Sequence, residues 1–224
     1  MKRRKKGEKA LNGVVYFLLI LVLMITIIPI GWVLSTSVKT TTEVFANPPR
    51  WIPDVLTIEN YKTVFLDSEI PRAFLNSVIV GLLTSLIALL LGGSSGYAFA
   101  RFQFRGSKFL SLFMLISQML PLTVLMIPMY YMENEIVLID TKIGLAIAHL
   151  VISLPLVTWM AKGYFKGIPK EIEEAATVDG CSTMQTLTKI VLPLLKPALV
   201  ATGIYAFISS WNEYALANVL TRSE

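Results

Sequence analysis

Four long stretches of the chain carry no formal charge. Residues 10 to 38, 73 to 100, 109 to 132 and 143 to 161 hold no Asp, Glu, Lys or Arg over 29, 28, 24 and 19 residues. Each reaches the roughly 20 residues that a helix needs to cross a hydrocarbon core. A fifth run, residues 197 to 212, is 16 residues long, is interrupted by Glu213 and turns apolar again through Leu220. The pattern predicts an all-α chain of five membrane-spanning helices, at about 14 to 36, 73 to 100, 109 to 131, 143 to 163 and 198 to 219. A basic segment of residues 1 to 13 precedes the first, and residues 37 to 72 form the longest polar loop.

Composition agrees with a lipid-facing surface, since 54% of the 224 residues are hydrophobic and 16% charged. A soluble domain needs more charge than that on its outside. The first apolar stretch is longer than the core of a cleavable signal, and no small-x-small site follows it directly, so it reads as an uncleaved anchor. Cys181 is the single cysteine, which rules out an internal disulfide and a cysteine metal cluster.

The charges distribute unevenly about the spans. With the N-terminus in the cytoplasm, 14 of the 20 Lys and Arg fall on cytoplasmic segments and 6 outside. This is the positive-inside arrangement.

Within the spans, Gly92 and Gly96 form a small-xxx-small face that lets another backbone approach. Gln118, Pro121 and Pro128 interrupt the third span, which is expected either to bend around a cavity or to carry a static kink. His149 has Ser153 one helical turn away and no carboxylate in its span, and reads as a buried bundle histidine. Glu213, costly in lipid, is expected to line a pathway or to bond with Asn212 between helices. In the polar loop, Trp51 and Tyr61 suit the lipid interface, and the loop is either a connector or a contact surface for an outside partner.

Residues 162 to 197 are the most specific part of the chain. Pro169 suits a first helical position, and Glu171, Glu173 and Glu174 crowd the first turn, where the helix dipole favours negative charge. Gly180 stands where a left-handed cap is expected, and Ser182 with Gln185 forms a capping-box pattern. Met184, Leu187, Val191 and Leu194 follow at helical spacing. The segment reads as two short helices joined at a glycine, too short to fold alone.

Glu174, Ala175 and Ala176, followed by Asp179, Gly180, Ile190, Leu192 and Pro193 at fixed spacing, resemble the EAA loop of ABC-importer permeases, here residues 168 to 193. Residues 97 to 106, 118 to 121, 168 to 171, 178 to 180 and 211 to 213 resemble the sugar-importer branch, in particular the second permease subunits of maltose-type and multiple-sugar-type systems. The likeness covers residues 70 to 220.

The resemblance implies the type I permease bundle over residues 73 to 224, in a cell membrane. It also implies a second permease subunit, two ATP-binding cassette subunits and an extracytoplasmic solute-binding protein. It makes the first helix of the loop the element that docks on an ATPase, with Ala175 and Ala176 permitting close approach and Glu174 offering a charge across the joint. Gln118, Asn212 and Glu213 become candidates for the translocation path.

No phosphate-binding loop motif occurs in the chain, so ATP is expected to bind the partner subunits, with no cofactor and no catalytic residue here. Such permeases usually have six spans, so the reading frame is expected to continue into one more apolar helix of about 20 residues. The alternatives are a permease for an amino acid, phosphate or oxyanion, and a membrane scaffold without transport. A plain anchor would have no need of a glycine-hinged helix pair.

Overall fold

The structure, a computed structural model, describes residues 2 to 221, and side chains from residue 11 onward. Its elements are helical: α1 (Lys2–Ser37), α2 (Thr41–Val44), α3 (Glu59–Leu66), α4 (Ile70–Arg101), α5 (Ser107–Ser117), α6 (Leu122–Glu135), α7 (Lys142–Gly167), α8 (Lys170–Val178), α9 (Thr183–Thr186), α10 (Leu192–Leu194), α11 (Lys196–Trp211) and α12 (Ala215–Leu220). A π-helical stretch, Leu187–Val191, joins α9 to α10. The chain divides into two units, residues 1 to 71 and 72 to 224.

In the first unit α1 is apolar on every side, with Leu18, Ile20, Leu23, Met24 and Ile27 all more than half exposed. A helix that is hydrophobic all round belongs in a core or in lipid. The loop after it is folded around Lys39, which is 2% exposed. Its ammonium lies 4.4 Å from the centre of the Trp32 ring and donates to the carbonyl of Arg50. Trp51 packs edge-on against Trp32 at 5.0 Å, and Tyr61 shares a hydrogen bond of 2.8 Å with Ser37. The Asn60 amide donates to the carbonyls of Ser37 and Lys39 at 3.0 and 2.8 Å. Glu43 accepts from the backbone N–H groups of Asp54 and Val55. The polar loop is thus a compact cap held by buried charge, which periodicity alone did not reveal.

In the second unit three apolar clusters succeed one another along α7. Val80, Leu145, Ala146, Leu216 and Leu220 form one, Ala88, Leu150, Val157 and Ala206 the next, and Tyr97, Ala161, Phe165, Ile168, Val191 and Leu195 the third. The α4 and α7 backbones touch through Gly92 and Gly96. A Cβ on Gly92 would lie 2.6 Å from Val157 Cγ1, and one on Gly96 would lie 2.6 Å from Ala161 Cβ and 2.8 Å from the backbone nitrogen of Lys162. The small-residue face expected at 92 and 96 is therefore the α4–α7 contact.

Among the described residues three helices are long and apolar enough to cross a membrane, Leu11–Ser37, Ile70–Arg101 and Lys142–Gly167, and two bent pairs bring the number to five if each pair is one span. The run at 109 to 131 breaks between Ser117 and Leu122, where the axes turn by 102°. Pro121, extended at φ −60 and ψ 127, precedes the first residue of α6 and has no N–H with which to continue α5. The run expected at 198 to 219 is helical only to Trp211; Asn212 caps it and α12 starts afresh at Ala215. The carboxylate of Glu213 explains the restart, since it accepts from the N–H of Leu216 at 3.0 Å.

Candidate functional site

The segment after α7 is built by local rules. Ile168 ends α7 in an extended conformation, as the residue before a proline must. Pro169 is extended too, at ψ 136, so α8 begins at Lys170, one residue later than the sequence suggested. Glu171 and Glu173 lie in its first turn. At the other end Gly180 adopts φ +83, its N–H donates to Thr177 O at 3.0 Å, and the N–H of Cys181 donates to Ala176 O at 2.9 Å. This is the paired left-handed cap that glycine permits without penalty. Ser182 and Gln185 then exchange both bonds of a capping box. Beyond α9 the helix widens, the N–H of Leu192 reaching Leu187 O five residues back beside Pro193, which has no N–H.

Two bridges tie α8 to the end of α4. Arg101 Nε donates to Glu173 Oε1 at 2.5 Å, Arg101 Nη2 donates to Ile168 O at 3.0 Å, and the Tyr97 hydroxyl donates to Glu173 Oε2 at 3.2 Å. The Arg101 and Glu173 side chains are only 8% and 15% exposed. Beneath them Tyr97 packs edge-on against Phe165 at 5.2 Å, within the cluster that holds Val191 and Leu195.

The expected loop residues divide by face. Glu174, Ala175, Asp179, Gly180 and Pro193 are exposed, while Ile190 and Leu192 are half-buried and Ala176 is buried at 4%. The small side chain of Ala176 thus serves packing inside this chain, and Ala175 alone of the two faces outward. The apolar stripe also splits, Val191 pointing in while Met184 and Leu194 are 66% and 56% exposed. Val178 joins Met184 on the outside at 87%. An exposed apolar pair beside the charge of Glu174 has the character of a contact surface. Sequence reasoning missed the Tyr97, Arg101 and Glu173 trio. Its signal was an arginine at the end of one span and a glutamate in the first turn of the short helix α8.

The candidate pathway residues have separate partners. Gln118 Nε2 donates to the carbonyls of Ile152 and Val151 at 3.1 and 3.5 Å. Pro155 inside α7 leaves Val151 O without its helical donor, and the glutamine supplies one from the break between α5 and α6. Glu213 accepts from the N–H of Leu216 in the first turn of α12, so its bond is to the backbone and not to Asn212, which is exposed. His149, 3% exposed, pairs Nδ1 with Ser210 Oγ at 2.6 Å; Ser210 reaches Thr84 Oγ1 at 3.4 Å, and Thr84 reaches Ala146 O at 3.3 Å. That chain of bonds joins α4, α7 and α11. Ser153 donates to the carbonyl of His149 and leaves its ring alone.

Residues 88 to 224 match the model of the family described as "binding-protein-dependent transport system inner membrane component". The chain belongs to that permease family. It is similar to the trehalose transport system permease protein SugB of Mycobacterium tuberculosis, 35% identical over 91% of this chain and 74% of that one. It is also similar to the diacetylchitobiose uptake system permease protein NgcG of Streptomyces coelicolor, 30% identical over 97% of this chain and 72% of the other. Among solved structures it resembles a bacterial ABC transporter involved in the import of the acidic polysaccharide alginate, with a TM-score of 0.81, 25% identity, and coverage of 97% of this chain and 76% of that one.

The permease is a multi-pass membrane protein of an ATP-driven importer, and ATP is used by partner subunits. Membership of the family implies ATPase, solute-binding and second permease partners. Among the described residues no three His, Cys, Asp or Glu side chains gather as a metal site.

Proposed function

We propose that this permease carries a carbohydrate inward across the membrane, and that residues 168 to 193 are the lever through which an ATPase subunit drives it. The observation that carries the lever is α8 itself. One side is fastened to α4 through Arg101 and Glu173, while the other presents Glu174, Ala175 and Val178 to a partner. A force applied to the outer side passes directly to a membrane span.

The orientation follows from charge, with the N-terminus, residues 101 to 108 and residues 162 to 196 in the cytoplasm. The membrane domain extends over residues 73 to 224, behind the anchor at 14 to 36 and the outer loop at 37 to 72. Its partners are a second permease of the same architecture, two ATP-binding cassette subunits and an external solute-binding protein. A saccharide cargo is supported by the trehalose, diacetylchitobiose and alginate systems to which this chain is similar.

Calorimetry of the cognate solute-binding protein, against saccharides, amino acids and oxyanions, tests the cargo. Saturable binding of a mono- or oligosaccharide is expected. Binding confined to an amino acid or an oxyanion would replace the sugar reading and leave the lever untouched.

A further inference from the structure

A basic cavity opens where the loop between α4 and α5 meets the end of α7. It measures about 700 Å³, and Lys108, Lys162, Lys166 and Lys170 line it together with Phe104 and Phe109. No acidic side chain is in its lining. Arg101, at its edge, is already engaged by Glu173, and Lys170 stands where the cavity meets the cleft of Glu173 and Glu174. Among the described residues, none of the four lysines has a carboxylate within ion-pair distance. The ammonium of Lys162 is instead held in place, donating to Ser111 Oγ at 2.6 Å and lying 5.6 Å from the centre of the Phe99 ring. Converging like charges repel one another unless an anion joins them.

The depth of the cavity identifies the anion. Lys162 precedes the end of α7 at Gly167 by five residues, about 7 Å along a helix axis. That matches the thickness of the headgroup layer on one side of a bilayer, roughly 5 to 7 Å. A second cavity of about 570 Å³ shares Lys162 and Lys166 and is otherwise lined by Trp159, Met160, Gly163 and Tyr164. A free ion has no use for such an apolar extension, whereas an acyl chain does.

We infer that this cavity is a binding site for an anionic phospholipid, its phosphate among Lys108, Lys162 and Lys166 and an acyl chain along Trp159 and Tyr164. The inference rests on the cytoplasmic placement of residues 101 to 108 and 162 to 167 in the proposed orientation. Basic pockets between spans on that side suit anionic headgroups, at about 1 kcal/mol for each lysine, or roughly fivefold in affinity.

The complete complex, with its ATPase subunits, is reconstituted in vesicles of equal phosphatidylglycerol and phosphatidylcholine. Lipids that stay bound on release are counted by native mass spectrometry, and solute-stimulated ATP hydrolysis is measured in the same preparation. Phosphatidylglycerol should be retained preferentially. Lys108→Gln with Lys166→Gln should lower the preference roughly 25-fold. Lys142→Gln, at the opposite end of α7, should leave it unchanged. Equal retention of both lipids by the wild type, an undiminished preference in the double variant, or selective displacement of phosphatidylglycerol by millimolar inorganic phosphate would overturn the site. Intact stimulated hydrolysis alongside any of these results confines the failure to the lipid site and spares the transport reading.

Discussion

Glu173→Arg is expected to cost the complex most of its import and its solute-stimulated ATP hydrolysis, and adding Arg101→Glu to the same chain to restore part of both. The single change leaves two guanidinium groups facing each other at a joint where both native side chains are at least 85% covered. Breaking one partner of a buried pair costs about 3 to 5 kcal/mol. At 1.4 kcal/mol for each factor of ten, even the lower figure makes the fastened state of α8 roughly 100-fold rarer. The N-terminal half of α8 then detaches from α4, while the apolar cluster under Tyr97 keeps the bundle folded. Import and solute-stimulated hydrolysis should both fall by more than an order of magnitude at normal membrane abundance. A purely structural pair would instead lower abundance, with no change in transport per molecule. Glu173→Gln keeps two hydrogen bonds and loses the charge, and is expected to fall between wild type and Glu173→Arg.

Gly180→Val is the second large effect. At φ +83 the residue lies in the left-handed region, and a Cβ there would meet nothing within 4 Å. Crowding therefore contributes nothing, and the whole cost is backbone strain of about 1 to 3 kcal/mol for a β-branched residue. Gly180→Asn, a residue that tolerates this conformation, should retain most activity. The order wild type, Asn, Val should appear in solute-stimulated hydrolysis by the reconstituted complex. Equal rates for all three would show that the reversal between α8 and α9 has no part in coupling. Glu174→Lys acts differently, because Glu174 is exposed and, in the proposed lever, faces the ATPase subunit. It should weaken ATPase association while leaving the fold of the chain intact.

These residues also mark how far the sequence can be read. Long uncharged runs mark α1, α4 and α7, since a charge is costly at membrane depth, but the runs at 109 to 131 and 198 to 219 each hold a break that charge does not mark. The two local caps at Gly180 and Ser182 were legible because all their atoms lie within six residues of one another. What was lost depends on distance along the chain. Arg101 and Glu173 are 72 residues apart, so one looked like a topological charge and the other like a helix-dipole charge. Lys39 looked like any loop lysine until Trp32 and the Arg50 carbonyl closed around it. Gln118 was singled out as a polar residue in a span, but its partner carbonyl is freed by Pro155, on a helix that is not its neighbour in sequence. Glu213 stands in an apolar run that resumes after it, where the sequence suggests a bond with Asn212 or a place along a pathway. Its carboxylate bonds to the N–H of Leu216 in the first turn of α12 and not to Asn212, a contact that depends on the chain breaking after Trp211.

The most direct test of the lever is where α8 goes in the assembled transporter. Cys181, the single cysteine of these 224 residues, is replaced by serine, and single cysteines are placed at Ala175 on the exposed face of α8 and at Leu56 in the loop of residues 37 to 72, 75% exposed. Intact cells are treated with a membrane-impermeant thiol reagent, and purified complexes with a short bifunctional one. Leu56→Cys should be labelled from outside, while Ala175→Cys should be protected in cells and cross-link to an ATPase subunit in the complex. Labelling of Ala175→Cys from outside, with no cross-link to the ATPase, would contradict both the orientation of the permease and the coupling role of residues 168 to 193.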